Sequence, residues 1–186
     1  MPNSNRRVAV FGTVRTLAMC AVLVAMSIIL GKYLAIRGGE ILRFSFENLP
    51  ILMAGILFGP AAGVVTAVAA DLVGCVMVGY AINPIITLGA VLIGVTSGLL
   101  ARLLTRPNHP LTAIRVFAAV FPAHILGSVL VKSLGLWIYS ATPWPILLTR
   151  IPVYLVTAAL EGTVLCLLAR NRVFTGELRK LISRKS

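Results

Sequence analysis

ENLPILMAGILFGPAAGVVTAVAADLVGCVMVG, residues 47–79, is the stretch that decides the fold. Two apolar segments meet at Phe58-Gly59-Pro60, and one carboxylate, Asp71, sits deep in the second. Gly-Pro marks a turn between helical runs, because proline lacks a backbone donor and fixes its own φ. In the second run Gly63, Ala67, Ala70 and Gly74 fall at i, i+4, i+7 and i+11. That spacing gives one smooth helical face on which a neighbouring helix packs closely. Asp71 borders this face and therefore points into a bundle rather than into lipid. A carboxylate at such depth is costly and marks a candidate functional residue.

Composition settles the solvent. Of 186 residues 59% are hydrophobic and only 12% charged, with mean hydropathy +0.98. A water-soluble domain of this size carries about twice that charge. The chain is therefore expected to be a single transmembrane domain over 1–186, with a short N-terminal segment (1–12) and a basic tail (170–186). The net charge of +12 raises nucleic acid as a partner, but the basic residues flank apolar runs, as membrane orientation requires. Cys20, Cys75 and Cys166 lie in apolar runs without metal or redox spacing and behave as small hydrophobes.

Six apolar spans are expected, near residues 13–36, 49–58, 61–78, 85–104, 111–139 and 146–169. In the first, Ala18, Ala21 and Ala25 share a face that serves either internal packing or docking of another membrane protein. Between the first two spans, Leu42, Phe44 and Phe46 alternate with Arg43, Ser45 and Glu47, which predicts extended chain. Ala90, Gly94 and Gly98 form a second close-packing face in the fourth span. A turn-rich loop carrying His109 follows, and Pro122 predicts a kink in the fifth span. Trp144 reads as an interfacial anchor.

Six spans put both termini on one side. Twelve basic residues collect there (Arg6, Arg7, Arg15, Arg102, Arg106, Arg115, Arg170, Arg172, Arg179, Lys180, Arg184, Lys185), against Lys32, Arg37 and Arg43 opposite. The asymmetry places both termini in the cytoplasm. On that topology Asp71, Lys132, Arg150, Tyr154 and Glu161 either line one cavity open to the outside or form buried pairs that fix helix register. In the second case Lys132 pairs with Glu161 or with Asp71. His124, Ser128 and Lys132 recur every four residues, as do polar groups from Arg150 through Tyr154 and Thr157 to Glu161. No metalloprotease helix, nucleophile elbow or phosphate loop is present, so neither an enzyme activity nor nucleotide hydrolysis is read from the chain.

Five motifs in order resemble a known family: Arg43-Phe-Ser-Phe-Glu-Asn-Leu-Pro50, Phe58-Gly59-Pro60-Ala-Ala-Gly63, Asp71-Leu-Val-Gly74, Tyr80-Ala-Ile-Asn-Pro84-Ile-Ile-Thr-Leu and Arg150-Ile-Pro152. Over nearly the whole chain they are similar to substrate-binding S components of energy-coupling factor (ECF) vitamin transporters, and most to the folate branch. The resemblance implies an all-α, six-helix membrane bundle in the bacterial plasma membrane. It implies a vitamin captured from outside and partnership with a transmembrane coupling protein and two cytoplasmic ATPases. ATP is then used by those partners, and this chain holds no cofactor or metal. Docking through Ala21-Val-Leu-Val-Ala25, with Ala18 on the same face, is implied as well. Folate is the expected vitamin, with another vitamin or small heterocycle as the alternative. Its acidic tail would face Arg43 or Arg150 and its heterocycle Asp71. Phe44 and Tyr80 are placed either to stack on the ring or to anchor the interface. The chain departs from the folate branch at Val153, Tyr154 and Glu161, and at Lys132-Ser133, where that branch carries an Asn-Thr pair. The extra acid and base leave room for a different small substrate. An intramembrane enzyme using Asp71, His124 or Glu161, and a non-transport scaffold, are the readings from other classes.

Overall fold

The computed structural model describes residues 14–38, 42–104 and 112–171. The expected N-terminal segment 1–12, the loop carrying Arg106 and His109, and the tail from Arg172 onward lie outside the described residues. Among the described residues six helices appear in the expected order: α1 (Val14–Tyr33), α2 (Asn48–Phe58), α3 (Pro60–Val78), α4 (Pro84–Leu104), α5 (Ala113–Ser140) and α6 (Trp144–Arg170). All but α2 are long and apolar enough to cross a bilayer.

At 11 residues α2 is about 16 Å long, roughly half the hydrocarbon thickness. The chain before it makes up the depth. The alternation of residues 42–47 predicts extended chain, and the structure shows it over the first half only: β1 (Ile36–Gly38) pairs with β2 (Leu42–Phe44) in an antiparallel hairpin, Ile36 opposite Phe44, whereas Glu47 already has helical backbone angles ahead of α2. From β2 the chain re-enters the bundle, where Ser27 Oγ donates a 2.6 Å hydrogen bond to the Glu47 carbonyl. Ser27 lies more than a turn inside the end of α1. Non-helical backbone at that depth survives only when packed in protein or lining a cavity.

Glycines set the helix spacing. Gly63 of α3 and Gly94 of α4 lie against each other so closely that a Cβ on Gly63 would come within 2.6 Å of the Gly94 carbonyl oxygen. Gly55 of α2 meets Gly94, Ser97 and Gly98 in the same way, and Gly89 of α4 meets Gly127 of α5. Both small-residue faces read from the sequence are buried, Gly63, Ala67, Ala70 and Gly74 on α3 and Ala90, Gly94 and Gly98 on α4. Because backbone cannot retreat, Gly94→Val is expected to cost about 1–3 kcal/mol and to lower the melting temperature of the detergent-purified protein by several degrees.

At the α2–α3 corner Gly59 has φ +102°, a conformation that L side chains rarely adopt, and the Arg102 guanidinium fills the space a Cβ would need. Pro60 then opens α3. In α5 the disturbance expected at Pro122 takes the form of π-helical turns over Ile125–Lys132.

Among the described residues nothing packs over the alanine face of α1. Thr16, Cys20, Leu23, Ser27 and Ile28 form the buried side of this helix. Ala18, Ala21 and Ala25 are exposed, beside Val22 at 61% exposure. The helix directions bring Arg15, Arg102, Arg115 and Arg170 to one end of the bundle, while the hairpin, Tyr80 and the stacked pair Trp137–Trp144 (ring centroids 5.4 Å apart) lie at the other.

Candidate functional site

Below the hairpin end, α1, α2, α3, α4 and α5 surround a cavity holding about 290 Å³ of space free of atoms, part of it open to the exterior. Its polar lining is Ser27, Lys32, Glu47, Asp71 and Lys132. The room it offers to whole molecules amounts to no more than one or two waters.

Asp71 is half-buried here, as its place beside the small face of α3 implies. Thr87 Oγ1 of α4 donates to its Oδ2 at 2.5 Å. Among the described residues its other oxygen, Oδ1, has a long contact of 3.9 Å with the Cys75 thiol one turn on. Lys32 of α1 approaches the same sulfur at 4.0 Å, with its ammonium 5.7 Å from the centre of the Tyr80 ring. Gly74 makes room for the Lys32 stem, since a Cβ there would lie 3.0 Å from Cε. Thr87 is positioned in turn by Asn83, whose Oδ1 caps α4 by accepting from the Ile85 and Ile86 amides at 3.0 and 3.3 Å.

Lys132 forms the second centre. Of the two alternatives, the ion pair is present but with another acid: Lys132 pairs with neither Glu161 nor Asp71 but with Glu47, its Nζ lying 2.9 Å from Oε1 and donating to Asn48 Oδ1 at 3.0 Å. The re-entrant segment explains the difference, because it carries an acid into the bundle from a stretch that reads only as extended chain between two spans. The Lys132 side chain is only 6% exposed and that of Glu47 27%.

Glu161 takes another partner. Its Oε2 meets His124 Nε2 at 2.7 Å, with both side chains fully buried between α6 and α5. Oε1 has no hydrogen-bond partner among the described residues, and Ser128 Oγ lies 3.4 Å from His124 Nδ1. An ideal α-helix would turn His124 and Lys132 to similar sides, but the intervening π turns change the angle per residue and each finds its own acid.

Arg150 hydrogen-bonds Tyr154 and lies over its ring, 5.2 Å from the centroid. The expected gathering of five polar groups in one cavity is therefore partial. Asp71 and Lys132 line it; Arg150, Tyr154 and Glu161 do not. Phe44 packs edge-on against Phe46 at 5.5 Å. Arg43 is placed by its backbone alone, in β2 opposite Arg37. Sequence reasoning missed Lys32, Glu47 and Thr87. Lys32 and Thr87 were detectable as polar residues one turn inside apolar runs; Glu47 carried no such signal.

The sequence model of the family described as "ECF-type riboflavin transporter, S component" matches residues 11–172. Among solved structures, FolT bound with folic acid is similar at a TM-score of 0.69 and 22% identity, over 87% of this chain and 98% of that one. The S component of a bacterial ECF transporter follows at 0.61 and 20% identity (84% and 94% covered). The S component for biotin from an ECF-type ABC transporter gives 0.57 and 22% (85% and 92% covered). No curated protein matches the chain. At these identities the structural likeness shows the fold, an ECF S-component helix bundle, while the family match extends over most of the sequence. The chain is thus a multi-pass membrane protein that belongs to the ECF-type riboflavin transporter S-component family.

Proposed function

We propose that this chain is the high-affinity vitamin-binding subunit of an ECF transporter, that it has no catalytic activity of its own, and that folate is its ligand. The observation that carries this reading is Asp71, which lines the cavity toward the hairpin end and is held through one oxygen by Thr87. A pterin edge offers adjacent N–H donors, which a carboxylate accepts well. Lys132 in the cavity supplies a cation for the acidic tail, with Arg150, in the second turn of α6, and Arg43, in β2, as further candidates toward the hairpin end. Tyr80 and Phe44 stand at the hairpin end, where ring stacking takes place as the ligand enters, and Tyr154 holds the Arg150 guanidinium. The room in the cavity is smaller than a vitamin, so binding requires the hairpin and the Tyr80 loop to move apart.

A second reading, riboflavin, is favoured by the family match. The imide edge of a flavin has one N–H between two carbonyls, and Asp71 flanked by Lys32 complements that pattern too. Titration of the purified protein with both vitamins separates the two. Asp71→Ala is expected to weaken binding of folate roughly 30-fold or more, at about 1.4 kcal/mol per tenfold, and Arg150→Ala to do the same for folate but not for riboflavin. Folate binding unchanged by both substitutions would refute this site.

The exposed Ala18, Ala21 and Ala25 face supports docking to a transmembrane coupling protein, through which two cytoplasmic ATPases would supply the energy. Arg15, Arg102, Arg115 and Arg170, all at one end of the bundle, support placing both termini in the cytoplasm.

A further inference from the structure

We infer that the Glu47 carboxylate is a built-in surrogate for an acidic group of the ligand, occupying Lys132 until the ligand displaces it. This inference rests on the vitamin-binding reading above and adds a competitor within the chain. The cavity lining is charge-balanced, with Lys32 and Lys132 against Asp71 and Glu47. An anion can gain Lys132 only by replacing its present partner.

The two ends of the pair are held differently. Lys132 is nearly buried and keeps a second acceptor, Asn48 Oδ1 at 3.0 Å, which is itself 2% exposed in the first turn of α2. Glu47 is more exposed and lies just outside the helix. Its backbone is fixed by the Ser27 hydroxyl, and its Cβ and the carboxylate oxygen not facing Lys132, Oε2, pack where only a glycine, Gly31, leaves room, so the carboxylate leaves Gly31 as well as Lys132 when it turns. The exchange therefore needs rotation of one side chain and no unfolding of the segment. After it, Asn48 still coordinates the ammonium, and the ligand's oxygen restores the lost charge compensation. Breaking the Glu47 contact works against the ligand, and removing Glu47 leaves a desolvated cation that an anion relieves.

The resulting sign is opposite to that of an ordinary structural ion pair. Glu47→Gln is expected to tighten binding of an acidic ligand about tenfold, and Lys132→Met to weaken it. In the double variant Glu47→Gln confers no gain. The test titrates purified wild type and these variants with folate against 6-hydroxymethylpterin, and with flavin mononucleotide against riboflavin. Each pair shares a ring, and only the first member of each carries an acidic group. For whichever ring binds, only the acidic member should gain from Glu47→Gln. Equal effects on acidic and neutral members, weaker binding of both, or a flavin mononucleotide that stays unbound by Glu47→Gln while riboflavin binds, overturns the surrogate role and leaves the vitamin-binding reading intact. Failure of wild type to bind any of the four overturns that reading and this inference together. Should Glu47→Gln aggregate, Glu47→Ser tests the same sign.

Discussion

Ala25→Trp is expected to abolish vitamin uptake by intact cells that also express the energising partners, while the purified variant binds its ligand as the wild type does. The separation follows from where Ala25 lies. It is exposed on α1 with Ala18 and Ala21, and the buried side of that helix, from Thr16 to Ile28, faces away from it. An indole there meets no residue of this chain's core. In lipid, helices associate by close backbone approach across small residues, since lipid tails remove the hydrophobic drive that operates in water. A tryptophan holds a partner helix away, and uptake is lost because the coupling protein no longer engages. Ala21→Trp should behave alike, and Leu17→Trp, at a position already occupied by a large side chain that is 47% exposed, should be tolerated. Uptake and copurification of the coupling protein that both survive in Ala25→Trp would remove this face from the account.

The second large effect concerns stability. His124→Leu is expected to cost about 3–5 kcal/mol, because it leaves the Glu161 carboxylate buried without either of its oxygens paired. Replacing both members, as His124→Leu with Glu161→Leu, should recover most of that loss or exceed wild-type stability, since a buried pair contributes little against an apolar replacement of similar volume. Thermal unfolding in detergent reads both. A double variant no more stable than the single one would mean that Glu161 is held by something other than His124. Ligand affinity should change little in the double variant, as neither residue lines the cavity.

These residues also show how far the sequence could be read. Helix order, the Gly59-Pro60 corner and the inward face of α3 were legible because each rests on local rules: proline geometry, a φ that glycine tolerates, and a period of about 3.6 residues. Asp71 followed from that period, and its neighbour Thr87 sat within a quoted motif without its role being visible. The partner of Lys132 was not legible. Glu47 is 85 residues away in sequence, in a segment whose alternation shows that it is extended but not that it dips between helices. The partner of Glu161 was hidden by the π turns of α5, which break the regular period on which face assignments depend. Whether alanines at i and i+4 face a neighbour or the lipid is likewise a tertiary property, and only the packed bundle turns Ala21 and Ala25 outward.

The central claim, that the chain captures a vitamin within the membrane, is tested most directly by mass spectrometry of the protein purified without added ligand from cells supplied with both folate and riboflavin. A folate should be retained at one molecule per chain, lost in Asp71→Ala and exchanged slowly in wild type. Riboflavin retained at that stoichiometry would keep the subunit and replace the ligand; a protein that retains no vitamin and takes up neither on titration would contradict the claim itself.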